Sequence, residues 1–254
     1  MKRTVVGALA VSILLIAPPF SIANAADMLV KAPPPIPYYN WAGPSVGMAG
    51  GYGWGPSNQT DPGIPCSYFG LVGPINDCHQ LVVADGVADG SYSLSGGIIG
   101  GGLGYNWQRG PWVYGIEADY SWANITGSSN TCGAASPVPH SCGTDLQSLG
   151  TLRGLFGYAV GASGNWLPYV TGGLAVGEVQ AWDSLYPSSG SDFRSGWTVG
   201  AGLATGLTQN WISQVQYLYV DLGSSQMFNV VPGVPETVSV SANVIEAGIY
   251  YKFY

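Results

Sequence analysis

Residues 112–122 read WVYGIEADYSW, and their alternation decides the fold. The even positions Trp112, Tyr114, Ile116, Ala118, Tyr120 and Trp122 are apolar or aromatic, whereas the odd positions run Val113, Gly115, Glu117, Asp119 and Ser121. A period of two puts these sets on opposite faces of a β-strand. Residues 195–207 repeat the pattern, with Ser195, Trp197, Val199, Ala201 and Leu203 set against Gly196, Thr198, Gly200, Gly202 and Ala204. It returns in Ile99, Leu103, Tyr105 and Trp107, and again in Ile245, Ala247, Ile249, Tyr251 and Phe253.

Working outward from these segments gives eight candidate strands: 42–54, 93–108, 112–125, 147–161, 166–182, 193–207, 211–222 and 240–254. An even number lets an antiparallel sheet close on itself and removes its edges. Short links at Arg109-Gly110-Pro111, 162–165 and 208–210 alternate with longer ones, so turns gather at one end and loops at the other. About ten residues at roughly 3.3 Å each, tilted by about 40°, rise on the order of 25 Å, the height of an outer-membrane apolar band.

Composition decides which face is outside. Only 8% of the 254 residues are charged, against about 25% in soluble domains. A lipocalin-type barrel alternates too, but it turns its apolar face inward and needs a charged exterior. The strands here contain only Glu117, Asp119, Arg153, Glu178, Asp221, Glu246 and Lys252, with Asp183 and Arg194 near strand ends. That number suits a narrow lumen. Trp41, Trp54, Trp107, Trp112, Trp122, Trp166, Trp211, Tyr217 and Tyr219 fall at strand ends, as interfacial girdles require. The predicted fold class is all-β: an eight-stranded antiparallel transmembrane β-barrel with short periplasmic turns and long extracellular loops.

Residues 1–25 read as a secretory signal: Lys2-Arg3, an apolar stretch from Val5 to Ile16, and the small-residue site Ala23-Asn24-Ala25. A buried N-terminal helix is the alternative, and Pro18-Pro19 argues against it. Removal of the signal leaves 5 of the 7 basic residues against 14 acidic ones, an unsuitable balance for nucleic acid. Residues 26–40 carry Lys31-Ala-Pro-Pro-Pro-Ile-Pro37 and read as a Pro-rich periplasmic tether outside the fold, leaving 41–254 for the barrel.

Four cysteines form two close pairs, Cys66 with Cys78 and Cys132 with Cys142, each within one expected loop. Export into an oxidising compartment favours disulfides. The competing reading is a metal site using the neighbouring His79 and His140, although the spacings are not those of zinc sites. Both histidines are expected in loops, which leaves acid–base or nucleophilic catalysis without a fixed imidazole. Glu117 and Asp119 share a face and form either a carboxylate dyad or, with Arg153 on the next strand, a structural ion pair; the buried charges favour the pair. Glu246 and Lys252 complete the expected lumen charges. Glycine clusters at 96–104 and 200–206 superficially resemble phosphate loops, but no helix or Lys-Ser/Thr follows; room for Tyr and Arg across the lumen explains them. Asp61, Asp77, Asp85, Asp89, Asp145, Asp183, Asp192 and Glu236 are assigned to loops as a solvated acidic surface, with divalent cations shared with lipopolysaccharide as the other possibility.

The ordered series GGLGYNWQ (101–108), GIEADYSWANITGS (115–128), GTLRGLFGY (150–158), YVTGGLAVGEV (169–179), GWTVGAGL (196–203), WISQVQYLYVDLG (211–223) and AGIYYKF (247–253) resembles the small porin-like outer-membrane β-barrels of alphaproteobacteria. That family includes the major outer-membrane antigens of Brucella and rhizobial relatives. The resemblance implies an outer-membrane location and structural or surface-antigen roles, and with no histidine on a strand neither enzyme activity nor a cofactor is expected. It also implies narrow diffusion or haem binding as the alternative, for which loop His79, His140 or nearby tyrosines are the candidates. Leu155 stands where relatives tend to have a second arginine, and Gln214 and Gln216 stand at charged positions, so the lumen is expected to be less charged. The resemblance further implies that Gly248, Ile249, Tyr251 and Phe253, ahead of a terminal Tyr254, form a signal for the outer-membrane assembly machinery. Expected partners are that machinery, outer-membrane lipid and lipopolysaccharide.

Overall fold

The structure, a computed structural model, describes residues 38–61, 87–132, 140–184, 188–231 and 234–253. The signal, most of the tether, Cys66, Cys78, His79 and Tyr254 lie outside the described residues. Eight strands follow in order: β1 (Gly43–Asp61), β2 (Val87–Arg109), β3 (Trp112–Cys132), β4 (His140–Tyr158), β5 (Trp166–Asp183), β6 (Ser188–Gly206), β7 (Trp211–Val231) and β8 (Val234–Lys252). Each pairs antiparallel with the next, and β8 returns to β1 from Ser45↔Lys252 to Thr60↔Thr237, which closes the barrel.

Alternation sets the two faces. On β3, Trp112, Tyr114, Ile116, Tyr120 and Trp122 are exposed on the outside while Val113 and Ile125 are fully buried inside. Past Trp122 the outward residues become Asn124, Thr126, Ser128 and Asn130, so the lipid-facing band stops there although the strand continues. Strands of 18 to 23 residues are roughly twice what a bilayer needs, and the surplus stands beyond the band at the end away from the short turns.

This surplus corrects several sequence assignments. Asp61, Asp89, Asp145, Asp183, Asp192 and Glu236, placed in loops, stand on β1, β2, β4, β5, β6 and β8. His140 opens β4 and Cys132 ends β3, so neither they nor Cys142 belong to a loop. Outside the membrane the outward face turns polar, the apolar alternation fades, and the pairing continues regardless. At the opposite end, Gly161 falls in the β4–β5 turn rather than on the strand.

The tether assignment changes at its last residues. Tyr38 to Asn40 belong to the fold: Tyr39 and Trp41 are 6% and 1% exposed, inside the mouth on the short-turn side. Trp41 is therefore not a girdle residue. Its indole nitrogen donates to the Gly164 carbonyl (2.8 Å) and its backbone N–H to Gln108 Oε1 (2.7 Å), polar partners that lie inside the mouth and not in lipid.

Candidate functional site

The lumen is the place to look for function, because inward residues of a small barrel must either fill it or line a channel. They fill it in layers. In the periplasmic mouth, Tyr39 and Trp41 pack with Val113, Leu155, Leu167, Ala204 and Ile212. Tyr39 N–H donates to Ser163 O (2.7 Å) and the Tyr38 hydroxyl to Ala159 O (2.9 Å). Lys252 Nζ donates to the Asn40 carbonyl and stands 4.7 Å from the centre of the Tyr39 ring. Lys252 thus serves the mouth and not the central charges; its inward direction follows from the outward Phe253 beside it.

The next layer is polar. Register puts Glu117 directly opposite Arg153 and Asp119 opposite Thr151. The Arg153 guanidinium, 2% exposed, donates to Asp119 Oδ2 (2.7 Å), Glu117 Oε2 (3.4 Å) and, across the barrel, Gln216 Oε1 (3.0 Å). Thr151 adds a bond to Asp119 Oδ2 (2.7 Å). Gln216 passes the network on, donating through Nε2 to Glu246 Oε2 (2.9 Å) and accepting from the Tyr169 hydroxyl (3.1 Å). The two carboxylates two residues apart are thus held as hydrogen-bond acceptors by one fork of donors, the geometry of a buried ion pair. Gly202 makes the layer possible, because a Cβ there would stand 2.5 Å from the Tyr169 ring. Cavities of about 10 and 20 Å³ remain beside Arg153 and Tyr250, room for about one water each.

Above this lies a second apolar layer, built from Leu94, Ile98, Ile125, Leu146, Leu149, Val179, Leu218, Val220 and the inward valines of β8. A polar cap follows beyond the membrane band. Gln59 Nε2 donates to the Tyr92 hydroxyl (2.8 Å), which stands 2.7 Å from Thr144 Oγ1, and Ser57 Oγ donates to the same Thr144 oxygen (3.0 Å). Burial pushes the Tyr92 hydroxyl up to about 12. At the rim, His140 Nε2 stands 2.8 Å from Asp183 Oδ2, and Cys132 is joined to Cys142 with their Cα atoms 6.0 Å apart.

Sequence reasoning named Glu117, Asp119, Arg153 and Glu246, and the structure brings all four into one layer. It did not name Thr151, Tyr169 or Gln216 as the connecting groups, nor Tyr39 and Trp41 as the seal of the mouth. Two aromatics next to a proline run were the signal available for the seal. Among the described residues no three His, Cys, Asp or Glu side chains are grouped to hold a metal ion. Of the assembly-signal residues, Ile249 and Phe253 are exposed on the lipid side, with Tyr251 between them and 5.1 Å from Phe253, ring to ring.

Comparison with known proteins agrees with this architecture. The family model described as outer membrane protein beta-barrel domain matches residues 12–253. The 31 kDa outer-membrane immunogenic protein of Brucella melitensis is 31% identical over 245 residues, covering 91% of this chain and 93% of the relative. The 25 kDa outer-membrane immunogenic protein of Brucella abortus is 30% identical over 246 residues, covering 92% and 93%. Among solved structures, Neisserial surface protein A is similar at 13% identity and a TM-score of 0.39, over 84% of this chain and 98% of that one. With strands that cross the outer membrane, turns in the periplasm and a filled lumen, the chain belongs to the outer membrane protein beta-barrel family.

Proposed function

We propose that the protein is a structural, surface-exposed component of the outer membrane with no enzyme activity. One observation carries the reading: the lumen is closed three times over, by the aromatic mouth, the Arg153 layer and the upper apolar layer. A solute would have to displace packed side chains at each level, and the cavities left are of water size. The lumen carboxylates Glu117, Asp119 and Glu246 are bound to Arg153 and Gln216 and have no room for a substrate, and at the rim the His140 imidazole is held on β4 by Asp183 with both side chains buried. What the barrel offers instead is its exterior: a lipid-facing band and a polar rim of paired strands standing beyond it. The naming of the Brucella relatives as immunogenic supports exposure of that rim. Lipid and lipopolysaccharide around the band, and the assembly machinery at β8, are the partners this role requires.

Planar-bilayer recording of the purified, refolded protein tests the closed lumen. The expected result is no stepwise conductance, and ion flux through single molecules would overturn it in favour of a diffusion pore. Protease shaving of intact cells tests exposure; cuts are expected only beyond the Trp122 level, and full resistance would count against a surface role.

A further inference from the structure

Outside the lumen, a recess of about 300 Å³ opens on the outer face where β7, β8 and β1 meet. Its wall is made by Asn58 of β1, Ser239 and Ser241 of β8, and Tyr219, Asp221 and Ser224 of β7. The recess exists because β7 bulges. The register slips between Asp221 and Ser224 against β8, Gly223 takes a positive φ of 65°, and Asp221 Oδ1 accepts the Gly223 N–H at 2.8 Å. At the same point β7 parts from β6: their ladder runs from Gly206↔Ile212 to Trp197↔Asp221 and ends there.

Its height is fixed by neighbours on the same strands. Toward the membrane on the same strands lie Trp54 on β1, Tyr217 on β7 and, past Asn243, Ile245 on β8, all exposed apolar or aromatic residues of the lipid-facing band. The recess therefore sits just above the girdle, at the level of the sugar and head-group region of the outer leaflet.

The chemistry of the wall narrows the ligand. Among the described residues of the wall Asp221 alone is charged at neutral pH, so an anion such as a phosphate is repelled, and a lone carboxylate is too few oxygens for a divalent cation. Serine hydroxyls and the Asn58 amide both donate and accept, and the carboxylate accepts two strong bonds from hydroxyl donors. The Tyr219 ring, held 5.4 Å from Trp197, supplies a flat apolar surface. A ligand with many hydroxyls, no charge and one C–H face satisfies all of these at once. We propose that this recess binds a neutral sugar ring. Two sources offer that chemistry, the core sugars of the surrounding lipopolysaccharide and soluble glycans. The inference needs only the outer-membrane orientation and holds whether or not the lumen conducts.

The test uses the full mature chain in detergent micelles. Glucose, galactose and mannose are titrated by saturation-transfer NMR, and lipopolysaccharide with intact core is compared with lipid A alone. The variants are Asp221→Asn, which keeps an acceptor for the Gly223 N–H, and Ser241→Leu, which fills the recess; heat-dependent gel mobility reports folding for each. Binding of a free sugar or of intact-core lipopolysaccharide is expected, falling about tenfold in both variants, as loss of a charge-assisted bond implies. Free-sugar binding names the soluble source, and dependence on the core sugars names the leaflet. Failure of folded wild-type protein to bind either, or binding by both variants at the wild-type level, overturns the proposal, as does retention that lipid A alone reproduces.

Discussion

Arg153 is the residue on which the central layer depends. Removing its side chain in Arg153→Ala leaves Glu117 and Asp119 side by side without a balancing cation, only the Thr151 hydroxyl still donating to Asp119, and breaking one partner of a buried pair costs about 3–5 kcal/mol. The space that the side chain vacates joins the adjoining cavity of about 10 Å³ and admits water, so the loss falls toward the lower end of that range. The midpoint of urea unfolding, followed by tryptophan fluorescence, should fall clearly, and Arg153→Lys should recover part of it because an ammonium keeps the charge and loses the fork. Tyr92 makes a second prediction, on pH. Its hydroxyl titrates at about 12 in the folded chain because burial disfavours the phenolate, against an ordinary value near 10. Its contribution to stability is thus intact below about pH 10 and is lost as the pH rises through 12. Titration by ultraviolet absorbance should show a tyrosine step near pH 12 that shifts to the ordinary range on unfolding, and Tyr92→Phe should remove that step. The Glu117–Arg153 pair was legible because a carboxylate and a guanidinium sat on adjacent strands. Gln216 was not: it reaches Arg153 across the lumen from β7, a contact set by barrel closure that no periodicity along one strand records.

Strands show the same division between what alternation reveals and what it hides. Within the hydrocarbon the outward positions must be apolar, so β3 could be followed from Trp112 to about Ile125. Beyond it both faces carry small polar residues, and Thr126 to Cys132 read as loop although they pair with β4. The disulfide closes this polar extension, linking the ends of β3 and β4. Cys132→Ser/Cys142→Ser should speed amide exchange in residues 126–132 and 140–146 while β3 and β4 near Glu117 and Arg153 stay protected; uniform loss of protection would show that the barrel depends on the bond. The last strand makes its own prediction. Its outward set is Ile249, Tyr251 and Phe253, and Lys252 points inward, so strand addition by the assembly machinery would read from Phe253. Phe253→Ala should lower membrane-inserted yield more than deletion of Tyr254, and the reverse order would shift the register by one.

At the scale of the whole barrel, apolar and polar layers stack so that no single substitution opens a path. Trp41→Ala should cost about 3–5 kcal/mol as a large buried aromatic is lost, yet leave bilayer conductance at the level of the parent because the layers above remain. Eight strands and their order were legible because each crossing of the membrane repeats one pattern. The inserted N-terminal residues were hidden because a segment of four residues has no period. Those residues also carry information about time. Their partners lie on β2, in the β4–β5 turn and, through Lys252 and Asn40, at a position 212 residues further along the chain. The first piece of the barrel region to be synthesised therefore finds its full seat only after the last strand has arrived. Until then Tyr39 and Trp41 have nowhere dry to go, so a barrel with its latch shut is one whose ring is complete.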